Sequence, residues 1–199
     1  MKIIITGHTR GIGKGLYDYF VGEGHEVIGL SRSNGYDISK NQDKIVEISS
    51  DCDLFINNAY QGNCQLQLLL ALKNKVKNII VCGSVSRMYA HILESDYAKD
   101  KQNLAEACRI ISIKPDGPNL LHLDMSFITD SLNENIHSMS DYCINYNEII
   151  SAVVFWLSNP KVRQIEFCWK LTAKVYNKMK QNNSNHLEID KLTKIINTI

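Results

Sequence analysis

A glycine-bearing turn set between an apolar run and an amphipathic segment constrains this chain more than any other feature. Residues 2–6 are strand-like, Thr6-Gly7-His8-Thr9-Arg10-Gly11-Ile12-Gly13 follows, and residues 11–22 carry a helical pattern. Glycines permit a tight turn and let a pyrophosphate approach the backbone at the positive end of the next helix. Three glycines can also make nothing more than a turn, but strand before and helix after is the context a dinucleotide site requires. Thr6, Gly7, Thr9, Arg10, Gly11, Ile12 and Gly13 are therefore candidate cofactor residues.

The same alternation runs on down the chain. Short runs rich in Ile, Val and Leu at 2–6, 25–30, 52–56, 77–82, 119–125 and 164–168 read as strands. Helical patterns fall between them near 11–22, 40–49, 63–75, 95–112 and 146–158. That order predicts βαβ units and an α/β fold: a Rossmann-type, doubly wound parallel sheet flanked by helices, in a single domain. The chain's 199 residues suffice for one well-packed domain and are few for two. The dinucleotide-binding domain is expected over 1–170. Residues 171–199 are polar and rich in Lys and Asn, and are expected to form a helical or partly disordered C-terminal extension.

Composition removes several classes of function. A formal net charge of +1 gives no field that steers the chain to nucleic acid or an anionic membrane, and no basic stripe interleaves with aromatics. The longest apolar runs, such as Leu68-Leu69-Leu70-Ala71-Leu72, fall far short of the roughly 20 residues of a membrane span. The N-terminus enters a strand pattern directly, without a signal-peptide profile. Six cysteines are scattered with no Cys-x-x-Cys pair and no histidine at zinc-ligand spacing, so no metal site is expected. They read as small buried hydrophobes in a reducing, cytoplasmic compartment.

Cofactor choice turns on the residues after the second strand. A site for NAD places an Asp or Glu there, about 20 residues beyond the glycines, on the ribose 2′-hydroxyl. Here the segment reads Ser31-Arg32-Ser33, with no acid. Arg32 can pair with a 2′-phosphate, the serine hydroxyls can add donors, and Arg10 can reach the same phosphate from the glycine turn. NADP is expected, with NADPH preferred over NADH.

Further motifs carry a resemblance to a known family. Asp37-Ile38 is similar to an Asp-hydrophobic pair that contacts adenine, and Asn57-Asn58-Ala59 to an Asn-Asn-Ala-Gly segment, with Tyr60 in the glycine's place. Ser84 and Tyr97-x-x-x-Lys101 follow, serine and tyrosine thirteen positions apart. Over roughly its first 130 residues the chain thus resembles the short-chain dehydrogenases and reductases. The resemblance implies an oxidoreductase that moves hydride between nicotinamide and a small carbonyl or alcohol. Tyr97 would be the general acid and base, Ser84 would hold the substrate oxygen, and Lys101 would bond the nicotinamide ribose. Asp37, Ile38, Asn57, Asn58, Ala59 and Ile128 would contact the cofactor, and the protein would be a homodimer or homotetramer. The chemistry agrees: Tyr97 and Lys101 share one helix face, and a nearby ammonium is expected to lower a phenol's pKa from about 10.

The chain also departs from the family pattern. It is shorter by about fifty residues, most visibly between Arg32 and Asp37, where a helix and most of a strand are missing. Asp100 replaces the Ser or Thr before the active-site lysine, and Met125-Ser126 replaces a Pro-Gly pair. The family's fourth catalytic residue is an asparagine; Asn63 is the candidate by position, and a helix cap is its other reading. His8 reads as an exposed loop histidine, His91 as a possible pocket residue, and 130–145 as a short substrate lid. Two alternatives stay open: a non-catalytic dinucleotide-binding regulatory protein, and a compact sugar-nucleotide reductase or epimerase.

Overall fold

The computed structural model describes residues 1–90, 95–126 and 144–167. Six strands are present: β1 (Lys2–Thr6), β2 (Glu26–Leu30), β3 (Leu54–Asn57), β4 (Asn78–Cys82), β5 (Asn119–Met125) and β6 (Gln164–Phe167). All neighbours pair in parallel, in the order β2-β1-β3-β4-β5-β6. The helices between them are α1 (Gly11–Gly22), α2 (Gln42–Ser49), α3 (Cys64–Leu72), α4 (Asp96–Ser112) and α5 (Tyr146–Ser158). The expected α/β, doubly wound architecture is the one observed. The expected extension over 171–199 lies outside the described residues.

Side chains alternate across the strands, so the continuous apolar runs feed two cores. Ile3, Ile5, Leu54, Ile56, Ile80, Leu121 and Leu123 face Leu16 and Phe20 of α1 and Ile149, Val153 and Trp156 of α5. Ile4, Phe55, Ile79, Val81 and Leu120 face the other way, against Ile45 of α2, Leu68 and Leu72 of α3, and Leu104 and Cys108 of α4. This double burial explains why the strands read as unbroken hydrophobic stretches. Trp156 is fully buried, and its indole Nε1–H donates to the Val162 carbonyl at 2.9 Å, which satisfies the one polar group it carries inward.

Chain direction across the sheet reverses between β1 and β3: β2 lies to one side of β1, and β3 to β6 to the other. Ligands of open α/β sheets bind in the crevice that such a reversal opens at the carboxyl ends of the strands. Between β2 and α2 stands a 3-10 turn, Arg32–Asn34, where the resemblance implied a helix and most of a strand, and β2 borders the described sheet. Among the described residues no helix is long and apolar enough to cross a membrane, and no cluster of side chains could hold a metal ion.

Candidate active site

The glycine turn is built by close backbone packing. Gly7 has φ 73 and donates its N–H to the Leu30 carbonyl at 2.7 Å. A Cβ on Gly13 would collide with the Gly7 carbonyl, so Gly13 lets α1 press against the turn. Thr6 is fully buried; its hydroxyl accepts the N–H groups of Asn58 and Ala59, each at 3.0 Å. Asn58 in turn donates its side-chain amide to the carbonyls of Thr6 and Gly7 at 3.1 and 3.2 Å. Thr6 and Gly13 thus brace the turn from behind, while Gly7, Thr9, Arg10, Gly11 and Ile12 face a cavity of about 970 Å³. Arg10 caps α1 without a side-chain acceptor, and the first turn holds no acid. The positive helix end is left for an anion.

The cavity's far wall is the segment after β2. Ser31, Arg32, Ser33, Asp37 and Ile38 all line it, as do Asn58 and Ala59. Ser31 shapes that wall: its N–H donates to Asn34 Oδ1 at 2.8 Å, and its hydroxyl lies 2.8 Å from that of Ser33. Among the described residues neither Arg10 nor Arg32 is ion-paired, and both are exposed. The cavity's one acid among its described lining, Asp37, is held below the usual carboxylate range by the Ser39 hydroxyl and N–H, at 2.7 and 2.8 Å. Asn57 does not reach the cavity. It is fully buried and donates Nδ2 to the Gln65 carbonyl at 2.8 Å, anchoring α3. Tyr36, Gln61 and Tyr146 line the cavity without having been singled out from the sequence. Tyr146 reaches the cavity by packing its ring on the bare α-carbon of Gly15, two positions beyond Gly13. His8 turns inward rather than to solvent: its ring packs 5.2 Å from that of Tyr17, over Gly29.

Ser84, Tyr97 and Lys101 meet beyond β4. Ser84 caps the 3-10 turn Val85–Tyr89, accepting the Ser86 N–H at 3.3 Å. Arg87 of that turn clasps Asp124 of β5, Nε to Oδ2 at 2.6 Å, and a Cβ on Gly83 would collide with His122 and Asp124. The serine is thereby fixed to the sheet. Burial outweighs the guanidinium and pushes the Asp124 carboxyl up; it also lowers the His122 imidazole to about 3, so that ring is neutral.

Lys101 is almost fully buried at 3% exposure, an unusual place for an ammonium. Its Nζ donates to Gln65 Oε1 at 2.7 Å and to the Cys82 carbonyl at 2.9 Å. Gln65 Nε2 donates to the carbonyls of Asn57 and Cys82 at 2.7 and 2.9 Å, which leaves only its oxygen for the lysine. Burial lowers the Lys101 pKa to about 8. The Tyr97 phenol runs counter to expectation. Burial raises it above its ordinary value, and the Ser84 hydrogen bond opposes that; the ammonium lies 5.6 Å over the ring rather than beside the hydroxyl. Asn63 stands exposed at the start of α3, and the α3 side chain that reaches Lys101 is Gln65, two residues on. The sequence signal for it is a glutamine at a buried position of a leucine-rich helix. Asp100, set aside in the sequence, accepts the Tyr60 hydroxyl at 2.8 Å. Ile128, His91 and most of 130–145 lie outside the described residues.

No family model and no curated protein matches the sequence. Solved structures do match. A short-chain dehydrogenase/reductase (glucose/ribitol dehydrogenase) from Brucella melitensis superposes with TM-score 0.65 at 15% identity, over 86% of this chain and 97% of that one. The fold is that of the short-chain dehydrogenases and reductases. An alcohol dehydrogenase from Thermococcus sibiricus, complexed with 5-hydroxy-NADP, matches with TM-score 0.59 at 17% identity, over 83% of this chain and 95% of that one. The UDP-N-acetylglucosamine 4-epimerase of Bacillus cereus matches with TM-score 0.62 at 17% identity, over 91% and 84%. The short-chain dehydrogenase/reductase fold thus spans dehydrogenases and sugar-nucleotide epimerases among the structures this chain resembles.

Proposed function

We propose that the protein is an NADP(H)-dependent oxidoreductase of the short-chain dehydrogenase/reductase type, acting on a small carbonyl or alcohol with Tyr97 as general acid and base. The observation that carries this reading is the convergence of Ser84, Tyr97 and a buried Lys101 beyond β4, next to a cavity shaped like a dinucleotide site. The cavity's residues fit the cofactor. An uncapped helix end suits a pyrophosphate, and unpaired Arg10 and Arg32, with no acid at the end of β2, suit an adenosine 2′-phosphate.

Bound there, the dinucleotide supplies or takes the hydride. Ser84 would hold the substrate oxygen and stabilise charge that grows on it. Tyr97 would give that oxygen a proton in reduction and remove one in oxidation. Burial holds its phenol above the ordinary pKa, so at neutral pH Tyr97 carries the proton that reduction would use. Lys101, fixed by Gln65 and the Cys82 carbonyl, keeps a positive charge over the Tyr97 ring and would meet the nicotinamide ribose.

Titration of the purified protein with NADPH and NADH, followed by nicotinamide fluorescence, tests the cofactor half of this reading. Tight, NADPH-selective binding supports it, and binding of neither dinucleotide overturns it. Tyr97→Phe tests the chemical half. It is expected to abolish carbonyl reduction while leaving the NADPH dissociation constant unchanged; retained turnover would remove Tyr97 from the mechanism.

A further inference from the structure

Two side chains that the proposed chemistry leaves unused meet at the edge of the site. Tyr60 follows β3 and Asp100 lies on α4, forty positions away, and the Tyr60 hydroxyl donates to Asp100 Oδ2 at 2.8 Å. The Tyr60 ring meets the Tyr97 ring edge-on, with centroids 4.8 Å apart and planes at 82°. Lys101 Nζ stands 5.3 Å from the Tyr60 centroid and 5.6 Å from that of Tyr97. Two of its N–H groups go to Gln65 and the Cys82 carbonyl, so the two aromatic faces cover a side of the ammonium that makes neither bond.

We propose that Tyr60, tethered by Asp100, is a positioning residue that fixes the Tyr97 ring and flanks the Lys101 ammonium. The proposal rests on the reading of Tyr97 and Lys101 as the acid–base pair. Edge-to-face aromatic contact is directional, so a ring that cannot swing holds its neighbour's orientation. A cation over a π face is attracted without a further acceptor, which suits a buried ammonium. The tether makes the first ring unable to swing, and its anchor is well chosen: Asp100 sits on the same helix as Tyr97 and Lys101, so one rigid element carries all three. Desolvation and Asp100 push the Tyr60 phenol up to about 12, so it stays a donor while the neighbouring groups titrate. Tyr60 also lines the dinucleotide cavity, which puts it at the junction of that cavity and the acid–base pair. Both members of the tether stand at positions where the chain departs from the family pattern, and the fold brings these two departures together.

Tyr60→Phe keeps the ring and removes the tether, and Asp100→Ala removes the acceptor. Tyr60 is 38% exposed, so neither change opens a cavity, and thermal unfolding checks that both variants fold. Each single variant is expected to lose about fivefold in kcat, and the double variant to be no worse than either. Effects that multiply in the double variant, or unchanged kcat in both singles, would overturn the proposal. A second readout is independent of turnover: NMR of the cofactor-free protein labelled at Lys Nζ and Tyr Cζ. Both variants are expected to shift the Lys101 and Tyr97 resonances alike. If they do so while the wild-type protein reduces no carbonyl, the positioning stands and the oxidoreductase reading falls. If the resonances stay put, the positioning falls whatever the activity.

Discussion

At the scale of single residues, the site depends on charges placed where solvent would not choose them. Lys101 carries its proton inside the protein, and its pKa of about 8 puts the loss of that proton within reach of mild alkali. Carbonyl reduction is therefore expected to fall on the alkaline side with a midpoint near pH 8, read from the pH dependence of kcat/KM. The sign for stability follows from the same shift. The folded pKa lies below the ordinary 10.5, so between these values the unfolded chain holds the proton and the folded chain does not. Lys101's burial penalty is present in full below about pH 8 and is relieved as pH rises toward 10.5. Arg32 poses the opposite case, an exposed charge that makes no ion pair among the described residues and feels Asp37 only through space. Arg32→Ala should weaken NADPH about tenfold and NADH little, by paired titration; equal losses would remove the argument for a 2′-phosphate.

At the scale of elements, the turn carrying Ser84 is fastened by one buried ion pair. Asp124 is wholly buried on β5, and Arg87 reaches it from the turn. Asp124→Leu leaves the guanidinium only the partly exposed Glu166, 3.7 Å away, and is expected to cost about 3 kcal/mol in urea unfolding, because a partly buried charge loses its hydrogen-bonded partner. A loss within a few tenths of a kcal/mol would mean that the turn is held by other contacts. The elements themselves were legible in the sequence. Helices α1 and α5 fall on the residues expected, and the strands within a residue or two, because burial on both faces writes each strand as a continuous apolar run. The direction of individual side chains was less legible. Asn57 and Asn58 are neighbours, yet one looks into the protein and the other to the cavity, since successive strand positions point to opposite faces. Gln65 and Tyr60 show another limit. The sequence marks Gln65 as a polar residue among leucines and Tyr60 as a departure from a glycine. Each acquires its role from α4, 36 and 40 positions away, and no local pattern names that partner.

For the whole molecule, the open cavity at the β1–β3 reversal makes stability and ligand occupancy one quantity. A ligand that binds only the folded chain adds about 2.7 kcal/mol at a hundredfold excess over its dissociation constant. For a chain of this size that is roughly 5–10 °C in Tm, expected with NADPH and less with NADH by differential scanning fluorimetry. No shift with either dinucleotide would contradict the cofactor reading at the level of the molecule.

The border position of β2 has a consequence for how such a chain can change. The side of the cavity proposed for adenosine is formed by residues 31–38, a loop with a single 3-10 turn and, among the described residues, no strand beyond it. Only Ser31 and Ile38 of that loop are buried. The part of the cavity that would discriminate between dinucleotides is thus a short cassette hung on the rim of the sheet, spliced in at two buried points. Of its other six positions only Tyr36 packs against a core, so most of the loop can be exchanged without repacking, and the lining there can drift while Ser84, Tyr97 and Lys101 stay as they are.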